Sequence, residues 1–192
     1  MHFRRTIFAA LILSVSAPAF ADGEFDKIVT AADKERLAKY DATKADAIQA
    51  AKAGGSAEDV AALDAILAKQ PVSFEGFDMT GDWQCRTIKL GGPAPLVIYG
   101  WFKCKVTDDG SGWQLEKLSG SQRTKGRFYT ESDTRLHYIG SFFVAGDAPK
   151  PYGSGPETDQ VGFTYRTGDA EWRIEFPAPY YESKLDILEF RR

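Results

Sequence analysis

GDWQCRTIKLGGPAPLVIYGWFKCKV, residues 81–106, decides the fold. Two aromatic and β-branched runs, 82–90 and 95–107, flank the turn cluster Gly91-Gly92-Pro93, which predicts a β-hairpin. Leu96, Ile98, Phe102, Cys104 and Val106 share one face of the second run by the period of two. Cys85 and Cys104 lie symmetrically about the turn, so they can sit opposite each other. A bond between them would close a loop of 18 intervening residues, worth about 3 kcal/mol in the chain-entropy account. Zinc is the competing reading of two cysteines, but it wants about four ligands, and beyond residue 21 the chain has a single histidine, His137.

Working outward, the same composition continues to the C-terminus. Eight strands are predicted at about 82–90, 95–107, 113–118, 122–131, 134–144, 160–167, 171–176 and 184–190. Most links are short, among them Asp108-Asp109-Gly110, Ser119-Gly120, Ser132-Asp133 and Gly168-Asp169, and short links join antiparallel neighbours into a meander. Two links are longer: 145–159, rich in Pro and Gly, and 177–183, with Pro177, Pro179 and two tyrosines. Even spacing of many strands points to a barrel or sandwich. In the seventh strand Trp172, Ile174 and Phe176 face one way and Glu171, Arg173 and Glu175 the other.

Before Pro71 the chain is rich in Ala, Lys, Asp and Glu. Leu37, Tyr40, Ile48 and Ala51 recur at helical spacing, Gly54-Gly55 stops that helix, and Ser56 with Asp59 opens another whose stripe is Val60, Leu63, Ile66 and Leu67. An αα-hairpin of about 31–53 and 57–69 is expected, packed on the rest. The fold expected is thus mainly β: residues 22–70 a helical hairpin, residues 71–192 an eight-stranded antiparallel meander barrel.

Residues 1–21 read as a secretory signal peptide: cationic Met1-His2-Phe3-Arg4-Arg5, an apolar run from Ile7 to Val15, then Ser16, Pro18 and the small-x-small site Ala19-Phe20-Ala21 ahead of Asp22. A membrane anchor would need about 20 apolar residues, and Pro18 interrupts the run early. No cysteine follows the cleavage site to carry a lipid. Cleavage near Ala21 leaves 22 Lys and Arg against 27 Asp and Glu, a net charge of −5. That balance argues against nucleic acid as a partner. No later segment is long and apolar enough to span a bilayer.

Two resemblances rest on particular residues. Gly81-Asp82-Trp83 resembles the Gly-x-Trp that opens the first strand of lipocalin-like barrels, where an arginine from the last strand lies over the Trp ring; Arg191 or Arg192 would serve. The segments GDWQCRTIKLGG (81–92), YGWFKCKV (99–106), SGSQRTKGRFY (119–129) and ESKLDILEF (182–190), with the helical lead-in DKERLAKYDATKADAIQAAKAGG, are similar to the bacterial exported family known as domain of unknown function 4893. That resemblance implies a periplasmic protein and brings no catalytic residues with it.

The chemistry motifs are sparse. His137 sits mid-strand, Gly-x-Ser-x-Gly and HExxH are missing, and Gly153-Ser154-Gly155 lacks the lysine and helix of a phosphate loop. No catalytic residue, metal site or cofactor is assigned. Glu171, Glu175, Glu182, Asp186 and Glu189 could supply a two-carboxylate site, but their alternation with apolar residues reads better as a solvated face. Arg123, Lys125 and Arg127 share one face of the fourth strand and are expected to point outward. The other face, Gln122, Thr124 and Gly126, is small and partly polar, and if it points inward the barrel keeps a cavity. The candidate ligand-binding residues are Arg86, Tyr99, Trp101, Gln122, Arg123 and Lys184, with entry at the barrel end flanked by 145–159 and 177–183. The expected role is non-catalytic binding of a small molecule; the alternatives are a protein-interaction module such as a periplasmic hydrolase inhibitor and, third, a carboxylate-dependent enzyme.

Overall fold

A computed structural model describes residues 22–192. The expected signal peptide lies outside the described residues. Four helices come first: α1 (Asp22–Ile28), α2 (Ala31–Ala38), α3 (Tyr40–Gly54) and α4 (Ala57–Ala68). Nine strand segments follow: β1 (Gly81–Leu90), β2 (Leu96–Ile98), β3 (Phe102–Asp108), β4 (Trp113–Lys117), β5 (Gln122–Ser132), β6 (Arg135–Val144), β7 (Asp159–Gly168), β8 (Glu171–Pro177) and β9 (Leu185–Arg191). Each pairs antiparallel with its neighbour, and β9 returns to pair with β1. The sheet is closed. Because β2 and β3 both lie along β1, the nine segments make an eight-stranded barrel.

The expected single strand 95–107 is divided at Tyr99-Gly100-Trp101, and the division has a consequence for every side chain in it. Ile88 opposes Ile98, whereas Cys85 opposes Phe102, so one extra residue has entered the second strand. A one-residue slip reverses the faces. Leu96 and Ile98 therefore point outward to the helices, while Phe102, Cys104 and Val106 point into the barrel. The face expected to be shared by all five is shared by three. The cysteines are bonded, with Cα atoms 5.9 Å apart. They sit diagonally, since Cys104 lies directly across from Trp83.

One half of the barrel is filled. Trp172 stacks on Phe190 at 3.5 Å between ring centres and meets Trp83 edge-on at 5.6 Å; Phe128, Tyr138, Leu115 and the disulfide complete the layer. Phe74 and Met79, from the segment before β1, close this end. Each such side chain stabilises by about 1.5–3 kcal/mol on burial. Tyr138 lies along the wall across Gly126 and Gly140, where a Cβ would come within 2.7 Å of its ring or hydroxyl. Its hydroxyl meets Thr124 Oγ1 at 2.7 Å. The two glycines thus make the space for the ring.

The helices cover the outside of β1, β7, β8 and β9. Ala47, Ala51, Leu63 and Ile66 pack on Ile88, Leu90, Leu185 and Ile187, and Ser56 caps α4 by accepting from the Asp59 amide at 3.1 Å. The expected first helix, 31–53, is two helices with a turn at Lys39, which redirects the chain so that Tyr40 is buried on the barrel wall. Beneath it the outer face of β8 is covered: Arg173 is 5% and Glu175 0% exposed. The solvated face expected from alternation is therefore a buried ionic layer at these two positions. The helix α1 packs Phe25 on His137, ring centres 3.8 Å apart, outside the barrel.

Candidate functional site

The other half of the barrel is not filled. Counting by twos along β1 from Trp83 and Cys85 brings Thr87 and Lys89 to the inner face; β4 contributes Lys117, β5 contributes Gln122 and Thr124, and β9 contributes Asp186 and Leu188. With Phe142, Gln160 and Phe176 these residues line a cavity above the aromatic layer. It offers about 60 Å³ of room for the centres of water-sized molecules, space for a few waters or a small polyatomic group. Pro156, Glu157 and Asp159 stand at its mouth on one side and Pro179, Tyr180 and Tyr181 on another. These belong to the two long links that the sequence placed at the entrance.

The charges in the cavity are unevenly matched. Lys89 and Lys117 are each 6% exposed. Lys89 Nζ meets Glu182 Oε2 at 2.5 Å and Gln122 Oε1 at 3.0 Å. Lys117 Nζ reaches Thr87 Oγ1 at 3.3 Å and lies 4.7 Å from the centre of the Phe102 ring. Among the described residues no carboxylate comes within 4.0 Å of it. Burial lowers Lys117 to about 8; the charge of Asp186 opposes the shift, and those of Lys89 and Arg123 add to it. Asp186 accepts from Ser183 Oγ; burial raises its carboxyl to about 6. The buried amide oxygen of Gln160 has no protein partner.

The segment over the mouth is held in an unusual backbone. Ala178 and Glu182 take φ of 45° and 69°, a region that costs a non-glycine residue about 1 kcal/mol or more. Gly92 permits it: a Cβ there would stand 1.7 Å from the Glu182 carbonyl oxygen. So the glycines of the first turn seat the segment that carries Glu182 to Lys89.

Of the six candidate ligand residues, the structure brings two to this cavity. Gln122 is on the inner wall, and Arg123, half-buried, lines the mouth with its Nε donating to the Gly120 carbonyl at 3.1 Å. Lys125 and Arg127 point outward to Glu116 and Asp109; Arg123 shares their face by register and, one residue from the start of β5, reaches the mouth from it. Arg86 and Trp101 form a separate cluster outside the barrel, with Arg86 and Arg191 over the Trp101 ring at 4.7 and 3.9 Å and Arg86 bonded to Glu189. Tyr99 is exposed. Lys184 is on the outside, paired with Asp46 of α3 at 2.7 Å. Lys89 and Lys117 were not among the candidates, and Asp186 was read only as one of five carboxylates on a solvated face. The signal for Lys89 is the alternation that runs 83, 85, 87, 89 along β1.

The model of the family described as domain of unknown function (DUF4893) matches residues 25–190. The chain belongs to this family. No curated protein and no solved structure matches it. In this DUF4893 barrel Arg192 lies 4.2 Å over the Trp83 ring and donates to the Thr80 carbonyl, while Trp83 Nε1 donates to the Met79 carbonyl at 2.8 Å. That is the Trp–Arg contact the lipocalin-like resemblance implied; the family match carries no such label. Of the five carboxylates, Glu171 and Glu189 lie outside the barrel and share Lys69, with Glu189 also paired to Arg86; Glu175 lies outside in an ion pair with Lys44; and Asp186 and Glu182 belong to the mouth.

Proposed function

We propose that this protein is an exported, non-catalytic binding protein whose ligand, a small molecule, enters the open half of the barrel. The observation that carries this reading is the division of one barrel into a filled aromatic half and a polar, open-ended half. A packed scaffold has no stability reason to keep two buried lysines and a carboxylate on its inner wall, since desolvating each charge costs several kcal/mol. Sites built to bind often carry such a cost. The cavity's size restricts what it holds to a small head group, with the rest of the ligand lying between Tyr180–Tyr181 and Pro156–Glu157.

Export is supported by residues 1–21 as a sequence and by the Cys85–Cys104 bond, which suits an oxidising compartment such as the periplasm. Intact mass of the mature protein beginning at Asp22 is expected; a native product retaining residues 1–21 contradicts it. Binding is tested by a thermal-shift screen of neutral, anionic and cationic small molecules on the wild type and on Gln122→Trp, which plugs the mouth. Stabilisation by some compounds that Gln122→Trp abolishes supports the reading. Stabilisation insensitive to the plug places binding elsewhere.

A second reading has one observation in its favour. Tyr180 and Tyr181, in edge contact at 4.8 Å, are 54% and 41% exposed at the rim, and exposed tyrosines suit a protein partner. On this reading the rim is a contact surface for a periplasmic protein, such as a hydrolase to be inhibited. Tyr180→Ala with Tyr181→Ala would then abolish capture of that partner, whereas Gln122→Trp would not.

A further inference from the structure

The occupant of the cavity is already partly written into the chain. Glu182 is exposed over more than half of its side chain, yet its carboxylate reaches inward to Lys89 at 2.5 Å. It does so from a left-handed backbone position on a segment with a second strained residue, Ala178. The carboxylate engages Lys89 and the Gln122 side chain and, among the described residues, makes no ion pair with Lys117. Lys117, two strand pairings further round the wall, has among the described residues only the Thr87 hydroxyl as a hydrogen-bond partner, beside the face of Phe102, and Arg123 at the mouth has only a backbone carbonyl. The three cations Lys89, Lys117 and Arg123 therefore meet Glu182 and the inner carboxylate Asp186, which Ser183 already engages. Of the other charged groups at the rim, Arg36 is paired with Asp33, Asp159 accepts from the Gly153, Ser154 and Gly155 amides, and Glu157 accepts from the Tyr180 hydroxyl.

We infer that the ligand carries an oxyanion group, a carboxylate or a phosphate, which binds Lys89 and Lys117 at the barrel mouth by displacing Glu182. This rests on the binding reading above and names the chemical class that the site selects. Glu182 is a tethered competitor: it neutralises Lys89 when the site is empty and swings out, toward solvent it already contacts, when the oxyanion arrives. The incoming group gains charge-assisted hydrogen bonds from both ammonium groups and a donor in the Gln122 amide. The Gln160 amide oxygen, buried without a partner, then accepts from a hydroxyl or amine of the ligand. Two acceptor-rich ligand types, organic acids and phosphate esters, share this chemistry, and the probes separate them.

The test is a titration of the full mature chain, followed by amide and side-chain NMR shifts, with sodium sulfate, inorganic phosphate, sodium succinate and, as a neutral control, glycerol. Sulfate, phosphate or succinate is expected to shift the mouth residues. Lys117→Met is expected to weaken that binding about tenfold or more, as loss of a charged hydrogen bond does, and Glu182→Gln to tighten it about two- to fivefold, the worth of a partly exposed ion pair. Lys117→Gln accompanies Lys117→Met, with circular dichroism reporting that each is folded. Preference for succinate over phosphate identifies an organic acid site, and the reverse a phosphate site. Unchanged affinity in Glu182→Gln overturns the displacement. Binding of neutral compounds that Gln122→Trp blocks, with no response to any anion, overturns the oxyanion assignment while leaving the binding reading intact. No response to any compound overturns both.

Discussion

The Tyr40 hydroxyl donates to Glu175 Oε2 at 2.6 Å, joining the first residue of α3 to the outer wall of the barrel. Lys44 Nζ meets the same oxygen at 2.8 Å, and Arg173 Nε holds the other at 2.7 Å. The carboxylate is fully buried, yet all of its partners are in place, so the layer joins helix to barrel in one geometry. Burial pushes Glu175 up, but Lys44 and Arg173 outweigh it and hold the carboxyl below its ordinary value. Tyr40, buried against that carboxylate, is driven well above the usual phenol range and stays protonated as the donor.

Removing the donor alone, Tyr40→Phe, is expected to cost about 1–2 kcal/mol. Glu175→Ala leaves Lys44 and Arg173 facing a buried gap and is expected to cost about 3–5 kcal/mol. Urea unfolding measures both. Because the folded carboxyl sits below its unfolded value, its contribution is present above the unfolded pKa of about 4.3 and is lost as pH falls through the folded value. The difference between wild type and Glu175→Gln should therefore shrink below pH 4. A difference that grows on acidification would contradict the ionised assignment.

The disulfide joins β1 to β3 diagonally and fixes the strand that the bulge at Tyr99–Trp101 divides. Replacing Cys85 and Cys104 with Ala is expected to lower stability by about 2–4 kcal/mol, read as a reduced urea midpoint with a slope unchanged or steeper, since the uncrosslinked unfolded chain exposes more surface. Alkylation of the unfolded, unreduced protein should find no free thiol.

Inside the mouth the two pH effects have opposite signs: Lys117 runs in the same direction as Glu175, and Asp186 opposes both. Lys117 is lowered from its ordinary value to about 8, so its contribution is present above the unfolded pKa of about 10.4 and is lost as pH falls through about 8. At pH 7 it is a desolvated charge, and Lys117→Met is expected to stabilise the empty protein by about 2 kcal/mol, the gain vanishing above about pH 10. Asp186, raised to about 6, contributes stability below its unfolded pKa of about 3.9 that is lost as pH rises through the folded value. The groups facing this site are Lys89, Arg123 and Asp186 on the wall, Glu182, Tyr180 and Tyr181 above it, and Arg36, Glu157 and Asp159 at the rim. Sulfate keeps its charge across this range, so its affinity should fall as pH rises from 5 to 9, first as Asp186 ionises and then as Lys117 discharges. A pH-independent affinity would exclude both from the site.

Much of the barrel was legible because hairpin links are short and strand faces alternate, and both are local properties. The break at Tyr99-Gly100-Trp101 was not, since an aromatic pair around one glycine has strand composition and the extra residue shows only against the partner strand. Alternation also gave two faces to β8 without saying that α3 and α4 cover the outer one, so Glu175 and Arg173 read as solvated. The site was half legible for the same reason. Gln122 and Thr124 stood out as a small polar face, but a lysine near a strand end, such as Lys89 or Lys117, looks like an ordinary surface residue until closure by β9 turns it inward.

The most direct measurement is an amide NMR map of residues 22–192 titrated with sodium sulfate. The account predicts saturable shifts at Thr87, Lys89, Lys117, Gln122, Gln160, Tyr181 and Asp186, with the aromatic half around Trp83, Trp172 and Phe190 unmoved. Shifts confined to the outer cluster of Arg86, Trp101 and Arg191, or no saturable shift at all, would contradict it.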